Sequence, residues 1–317
     1  MSECIEVVEA ALKTLNEGNA LNPLRSGMWL TNKTGLLGVM SGYLGDPEIM
    51  GLKTVSVFPG NDKTEYHSHQ GSVTIFETKN GCPLAIMDAA EITAIRTGAA
   101  SGVATRLLAN PDADDLAILG AGVQARMNLE AMMAVRPIKR VRVWSRTQAH
   151  AEQLAESESE KHGVPIEVAT SAQTAVEGAS IICTTTAARV PILMGDWLAE
   201  GVHINAVGSS IKFTRELDTA AVVKSRLFVD RKESTINEAG DYLFPKEEGA
   251  IDESHIQGEI GDVLLYIIEG RESESEITLF KSLGLAVEDL ASAFHIYQKM
   301  KEAGQGNWVE LGSTKDF

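Results

Sequence analysis

The sequence predicts an α/β protein of two domains, one of them built on a parallel sheet. From Leu116 onward, short apolar runs alternate with helical stretches, the pattern of repeated βαβ units. The chain has 317 residues, about twice an ordinary domain of roughly 150. Hydrophobic residues make up 44% of it, enough for a sizeable core.

Taken in order, Cys4 to Glu17 carries Ile5, Val8, Leu12 and Leu15 at helical spacing with charges opposite, and Gly18-Asn19 stops the helix. Thr54–Phe58 and Ser72–Glu77 are rich in Val, Ile, Thr and Phe and read as strands. Asn80-Gly81, between Ile75-Phe76 and Leu84-Ala85-Ile86, signals a hairpin. Ala89 to Leu108 is an Ala-rich helix ended by Asn110-Pro111. The parallel strands are expected at Leu116–Leu119, Val141–Trp144, Ile166–Ala169, Ile181–Thr184, His203–Val207 and Leu227–Val229. Helices are expected at Gln124–Val135, Ala149–Lys161, Ala172–Gly178 and Leu217–Val223. A strand at Ile277–Phe280 and a helix from Val287 to Ala303 complete the pattern. Two acidic stretches, Glu152 to Glu160 and Glu272 to Glu276, read as solvated faces.

The 28 basic and 44 acidic residues leave a net charge of −16, which repels phosphate backbones and anionic lipid. Nucleic-acid and membrane partners are therefore not expected. No apolar run approaches the ~18–20 residues that span a bilayer, and no export signal is visible. Cys4, Cys82 and Cys183 fit neither a disulfide framework nor a zinc site, which suits a reducing cytoplasm.

The strongest local motif is Gly120-Ala121-Gly122-Val123-Gln124-Ala125, a GxGxxA turn that follows one apolar run and opens a helix. Gly120 permits the tight turn, Gly122 lets the backbone approach a pyrophosphate, and Ala125 lets the helix pack close to the strand. The helix N-terminus adds backbone N–H groups and partial positive charge. Strand, turn and helix together point to a dinucleotide. An NAD site usually places an acid at the end of the next strand, for the ribose 2′-hydroxyl. Here that end reads Ser145-Arg146-Thr147 with no acid. Arg146 can pair with a 2′-phosphate and the two hydroxyls can bond it, so NADPH is preferred and NADH is the second choice.

Arg25, Lys53 and Arg96 lie among apolar or small residues and are candidates for an anion pocket, although any one alone would pass for a surface charge. His67-Ser68-His69 lacks the cysteine and carboxylate partners of a usual metal site, so no metal is expected. Neither a GxSxG elbow nor a CxxC pair occurs, which leaves hydrolase and thiol-redox chemistry without support.

These residues and their order resemble the ornithine cyclodeaminase/mu-crystallin family. The resemblance runs through Asn22-Pro23-Leu24-Arg25, Gly51-Leu52-Lys53, Ser68-His69-Gln70 and Leu84 to Asp88. It continues through Thr93 to Ala99, Ile118 to Ala125, His203 to Gly208 and Phe280 to Asp289. It implies a Rossmann domain, residues 111–285, inserted in an α+β substrate-binding and dimerisation domain of residues 1–110 and 286–317. It also implies a homodimer in which Arg25 and Lys53 hold the carboxylate of a small imino or amino acid. Lys53 and Arg96 are the implied catalytic residues, with Arg96 and Thr97 beside the cofactor. Thr184, Thr185, Thr186, Ala206, Gly208 and Ser209 would run along that cofactor, with Gly284 and Leu285 near the nicotinamide.

Two departures choose within the family. Cyclodeaminases and alanine dehydrogenases carry an Asp where this chain has Ser210, in Gly208-Ser209-Ser210, whereas the ketimine reductases have Ser. Ser145-Arg146-Thr147 likewise looks like an NADPH-type loop. The family's usual strand ahead of the first helix has no counterpart here. The expected activity is hydride transfer to the imine carbon of Δ1-pyrroline-2-carboxylate or Δ1-piperideine-2-carboxylate, giving proline or pipecolate. Ornithine cyclodeaminase and alanine-type dehydrogenase are the alternatives.

Overall fold

The computed structural model describes residues 1–309, apart from the side chains of Asp62 and Lys63. The chain divides into two compact units. One comprises Ala10–Arg96 and the segment from Leu285 onward; the other comprises Met1–Glu9 and Thr97–Gly284.

The chain opens with α1 (Ser2–Asn16), whose Ile5, Val8, Leu12 and Leu15 are buried as their spacing requires. An antiparallel sheet follows: β1 (Ala20–Leu21), β2 (Ser26–Trp29), β3 (Leu36–Gly45), β4 (Glu48–Val57), β5 (His69–Phe76) and β6 (Pro83–Asp88). Its order is β1-β3-β4-β5-β6, with β2 also on β3. The Asn80-Gly81 signal does mark the β5–β6 hairpin, where Gly81 adopts φ +76. Then comes α2 (Ala89–Leu108), with the bounds expected of it. The strands β1 to β3 were not legible, since β3 contains three glycines and does not alternate cleanly.

The second sheet is parallel throughout and alternates with helices: β7 (Asp115–Leu119), α3 (Val123–Val135), β8 (Arg140–Trp144), α4 (Gln148–His162), β9 (Ile166–Val168), α5 (Ala172–Val176) and β10 (Ile181–Thr184). It goes on through β11 (His203–Ala206), α6 (Thr219–Val223), β12 (Ser225–Val229), α7 (Lys232–Glu238), α8 (Gly240–Glu247), β13 (Ile256–Glu259), α9 (Ile260–Leu264) and β14 (Ile277–Lys281). The order β13-β12-β14-β11-β10-β7-β8-β9 puts the reversal of winding between β7 and β10. Its two faces bury separate apolar clusters, one around Leu116, Ile118, Leu129 and Val143, the other around Ile182, Ile204, Leu217 and Leu279. The doubly wound sheet expected from the alternation is thus present, with α7, α8, β13 and α9 added beyond it.

In the first unit, α10 (Ala286–Glu302) packs on β3, β4 and β5. Gly51 leaves no room for a side chain on that face, because a Cβ there would collide with the Thr74 carbonyl as well as meet Leu290 at 2.8 Å.

The division within α2 falls at Arg96/Thr97 rather than at residue 110. From Thr97 the helix belongs with the parallel sheet: a Cβ on Gly98 would meet the Met127 carbonyl at 2.6 Å, and Asn205 Nδ2 donates to Thr105 Oγ1 at 2.9 Å. The stretch Glu152–Glu160 is not wholly solvated either. Glu158 is buried, since its position on α4 falls on the inward stripe with Ala151, Leu154 and Ala155. There it faces Arg126, Lys161 and His162 at 3.8, 3.6 and 3.4 Å.

Candidate active site

In the antiparallel unit, Lys53 lies on the β4 face that α10 covers and is only 3% exposed. Its Nζ is 2.7 Å from Asp289 Oδ2 and donates to Thr93 Oγ1 of α2 at 3.3 Å. Burial lowers its pKa to about 8, against the pull of the Asp289 carboxylate. Arg96 is equally buried; its Nε donates to Asp289 Oδ1 at 2.8 Å and its Nη1 to Glu288 Oε2 at 3.0 Å. Burial alone would raise the Asp289 carboxyl, but Arg96 and Lys53 outweigh it and hold the group below its ordinary value. Both carboxylates sit in the first turn of α10, where the helix dipole favours negative charge.

One carboxylate therefore holds both cations, in a dry site where each ion needs a partner. Arg25 is half-buried just ahead of β2. Ser26 pairs with Val39 and Val39 with Thr54, so the antiparallel register brings Arg25 level with Met40 and Lys53. Glu288 and Asp289 were quoted in the sequence motif but given no role. Two adjacent acids opening a largely apolar helix turn were the signal available.

In the parallel-sheet unit, Gly120 ends β7 at φ +123, and a Cβ there would collide with Thr185. The Thr185 amide donates to the Leu119 carbonyl at 2.8 Å, so the turns after β7 and β10 lie together at the point where the winding reverses. Gly122 occupies the N-cap of α3 without a side-chain cap, Val123 is exposed, and Ala125 is fully buried against the strand. A bare glycine turn, an uncapped helix of 13 residues and a small residue at the packing point are what a pyrophosphate needs.

Ser145 is half-buried and Arg146 and Thr147 are exposed at the end of β8; Thr147 occupies the N-cap of α4 but its side chain makes no cap bond. Thr184, Ala206 and Ser209 are buried at the ends of β10 and β11, and the Ser209 hydroxyl is engaged by Thr214. Ala121, Gln124, Gly208 and Ser210 border the same strand ends, Ser210 half-buried. Gly284 follows β14 at φ +82, its amide donating to Asp230 Oδ2 at 2.7 Å. Thr97 and Leu285 are buried. Sequence reasoning missed the buried acids Glu216, Asp230 and Asp241, which hold these turns from beneath.

Glu130, Glu158 and His162 bring ligand-type atoms within 4.8 Å of one another. Lys161 already occupies that group as its cation, contacting both carboxylates. The His67-Ser68-His69 segment contributes to no such group among the described residues.

The chain is similar to proteins of known activity. The Δ1-pyrroline-2-carboxylate reductase of Bacillus thuringiensis subsp. konkukian is 38% identical over 312 residues, covering 98% of this chain and 96% of its own. The ketimine reductase mu-crystallin of Mus musculus is 40% identical over 298 residues, covering 92% and 90%. Among solved structures, the Δ1-pyrroline-2-carboxylate reductase of Thermococcus litoralis, in complex with NADH and L-proline, superposes with a TM-score of 0.95. It is 44% identical, with 97% and 95% of the two chains covered. The family model for ornithine cyclodeaminase/mu-crystallin matches residues 1–304. The chain belongs to the ornithine cyclodeaminase/mu-crystallin family.

Proposed function

We propose that the protein is an NAD(P)H-dependent oxidoreductase that reduces small α-imino acids. Its substrates on this reading are Δ1-pyrroline-2-carboxylate, giving proline, and Δ1-piperideine-2-carboxylate, giving pipecolate. The observation that carries it is the Thermococcus litoralis relative, which holds NADH and L-proline, a reductant and the product of imine reduction, in a chain of similar length and the same fold. The buried Lys53–Asp289–Arg96 cluster supports it, because Asp289 holds the two proposed catalytic cations at one fixed place.

When bound, the nicotinamide supplies the hydride. Arg25 and Lys53 hold the substrate carboxylate, which fixes the imine carbon in a near-attack arrangement. Arg96 is kept beside them by Asp289 and Glu288, and Ser210 contacts the substrate. A protonated imine is already electrophilic, so no strong acid is needed where cyclodeaminases have Asp. The turns at 120–125, 145–147, 184–186 and 206–209, with Thr97, Gly284 and Leu285, hold the dinucleotide. Arg146 in place of an acid favours NADPH over NADH.

The active form is a homodimer through the sheet face opposite α10. That face exposes Met28, Leu37 and Ile86 between polar Thr54, Ser56 and Gln70. No helix among the described residues is long and apolar enough to cross a membrane. A cytoplasmic location fits Cys4, Cys82 and Cys183, which form no disulfide among the described residues.

The test is NADPH oxidation with the two cyclic imino acids, NADH run in parallel. Oxidation driven by either imino acid is expected. Ammonia and proline formed from ornithine without added reductant, and no imine reduction, would instead make the protein a cyclodeaminase.

A further inference from the structure

The buried acids of the parallel-sheet unit are not explained by the family features described above. Glu216 is fully buried and accepts four hydrogen bonds from two separate turns. Its Oε1 takes the amide and hydroxyl of Thr186, at 2.6 and 2.7 Å. Its Oε2 takes the hydroxyl of Thr184 at 2.7 Å and the amide of Gly208 at 2.8 Å. One carboxylate thus fastens the turn after β10 to the turn after β11. It also closes the 208–216 loop, which carries Ser209 and Ser210.

The carboxylate is itself held on a fixed backbone. Asp241 accepts the amides of Glu216 and Leu217 at 2.8 and 3.0 Å, and Ile192 and Leu193 donate to the Glu216 carbonyl. Lys281, at the end of β14, lies 3.0 Å from Asp241 Oδ2 and donates to the Ala206 carbonyl at 3.1 Å. Three strand ends, β10, β11 and β14, are therefore tied through one buried network at the carboxyl edge of the sheet, where α/β proteins bind their ligands. Thr185, between the two threonines that Glu216 holds, is the residue packed on Gly120.

We propose that Glu216 is a positioning residue for the dinucleotide: it sets the 184–186 and 208–210 turns at the spacing the cofactor requires, without touching the cofactor itself. This rests on the dinucleotide reading above. The chemistry demands a carboxylate and not its amide. Each oxygen faces one backbone N–H, and a backbone N–H cannot turn round to accept. A glutamine would therefore set its own NH2 against either Thr186 or Gly208, whichever way it flips, and release one turn at nearly unchanged volume.

The experiment compares wild-type protein with Glu216→Gln and with Thr186→Val, which removes one hydroxyl donor and keeps the amide. NADPH dissociation constants are measured by titration of the whole protein. Cofactor KM, imino-acid KM and thermal unfolding without cofactor are measured beside them. Glu216→Gln is expected to weaken NADPH about tenfold or more, the scale of an unsatisfied buried donor, with the imino-acid KM at saturating cofactor changing by clearly less, because of the proposed substrate contacts only Ser210 lies on the loop that Glu216 closes. Thr186→Val is expected to shift NADPH in the same direction by less, and it decides the matter if Glu216→Gln does not fold. Unchanged NADPH affinity in the variants, or cofactor and imino-acid KM rising by the same factor with lowered thermal stability, would overturn the positioning role. Wild-type protein that binds neither NADPH nor NADH would overturn the dinucleotide reading first, and this inference with it.

Discussion

Lys53 carries two demands that pull its proton in opposite directions. Burial lowers its pKa to about 8 from 10.5, while the proposed grip on a carboxylate needs the ammonium form. The folded protein therefore binds this proton less tightly than the unfolded chain. Between about pH 8 and 10.5 the unfolded chain carries more protons at this site, so the lysine's contribution to stability rises with pH; below 8 its burial cost is present in full. Activity runs the other way: kcat/KM for the imino acid is expected to fall above about pH 8 as Lys53 loses its proton. Lys53→Arg, if it fits, is expected to move that fall upward, since arginine stays charged. An identical alkaline limb in both proteins would assign it to the substrate imine. Arg146 is a simpler case, because it is exposed and its proposed partner is a 2′-phosphate. Arg146→Ala is expected to raise the KM for NADPH on the order of tenfold or more, the scale of a lost charge-assisted hydrogen bond. The NADH value should change little; equal effects on both would remove the 2′-phosphate role.

Helix α10 shows how much one element contributes and how much of it could be read beforehand. Its first turn supplies Glu288 and Asp289, its Leu290 fills the space left by Gly51, and its apolar residues cover the sheet. Asp289→Asn leaves Lys53 and Arg96 sharing a neutral amide in a dry site. Breaking such a cluster is expected to cost about 3–5 kcal/mol, measurable by urea or thermal unfolding. A loss below 1 kcal/mol would mean that the cations find other partners. The helix itself was legible from its period, and so were the strands and helices from 116 to 229, because buried parallel strands are continuous apolar runs bounded by turns. The segment from 230 to 276 was not, because its one strand, Ile256–Glu259, is not an apolar run and so gives no strand–helix alternation to place α7, α8 and α9. The site was half legible for a related reason. Glycines, and cations set among apolar or small residues, advertise themselves in sequence, whereas Glu216, Asp230 and Asp241 differ from surface acids only in what the fold places around them.

At the scale of the whole molecule, a chain with a net charge of −16 must still associate with itself if the proposed dimer forms. The sheet face offered for it is nearly free of acids: from Met28 across Leu37, Ser56, Gln70 and Thr54 it is apolar or neutral. Light scattering coupled to gel filtration is expected to give twice the 34.1 kDa chain mass. The double change Leu37→Asp and Ile86→Asp is expected to give the single-chain mass with helix content retained. A wild-type monomer at micromolar concentration would place the association elsewhere or remove it. The order of strands in the parallel sheet bears on how such a molecule is made. The strand that lies between β11 and β12 is β14, and it is the last of the eight to leave the ribosome. Until residues 277–281 emerge, β11 and β12 each present an open edge of a kind that invites pairing with other chains. The parallel-sheet unit therefore cannot mature strand by strand as it is synthesised. It is completed from the middle, by an insertion that waits for nearly nine-tenths of the polypeptide, and that interval is when the nascent chain is most exposed to aggregation.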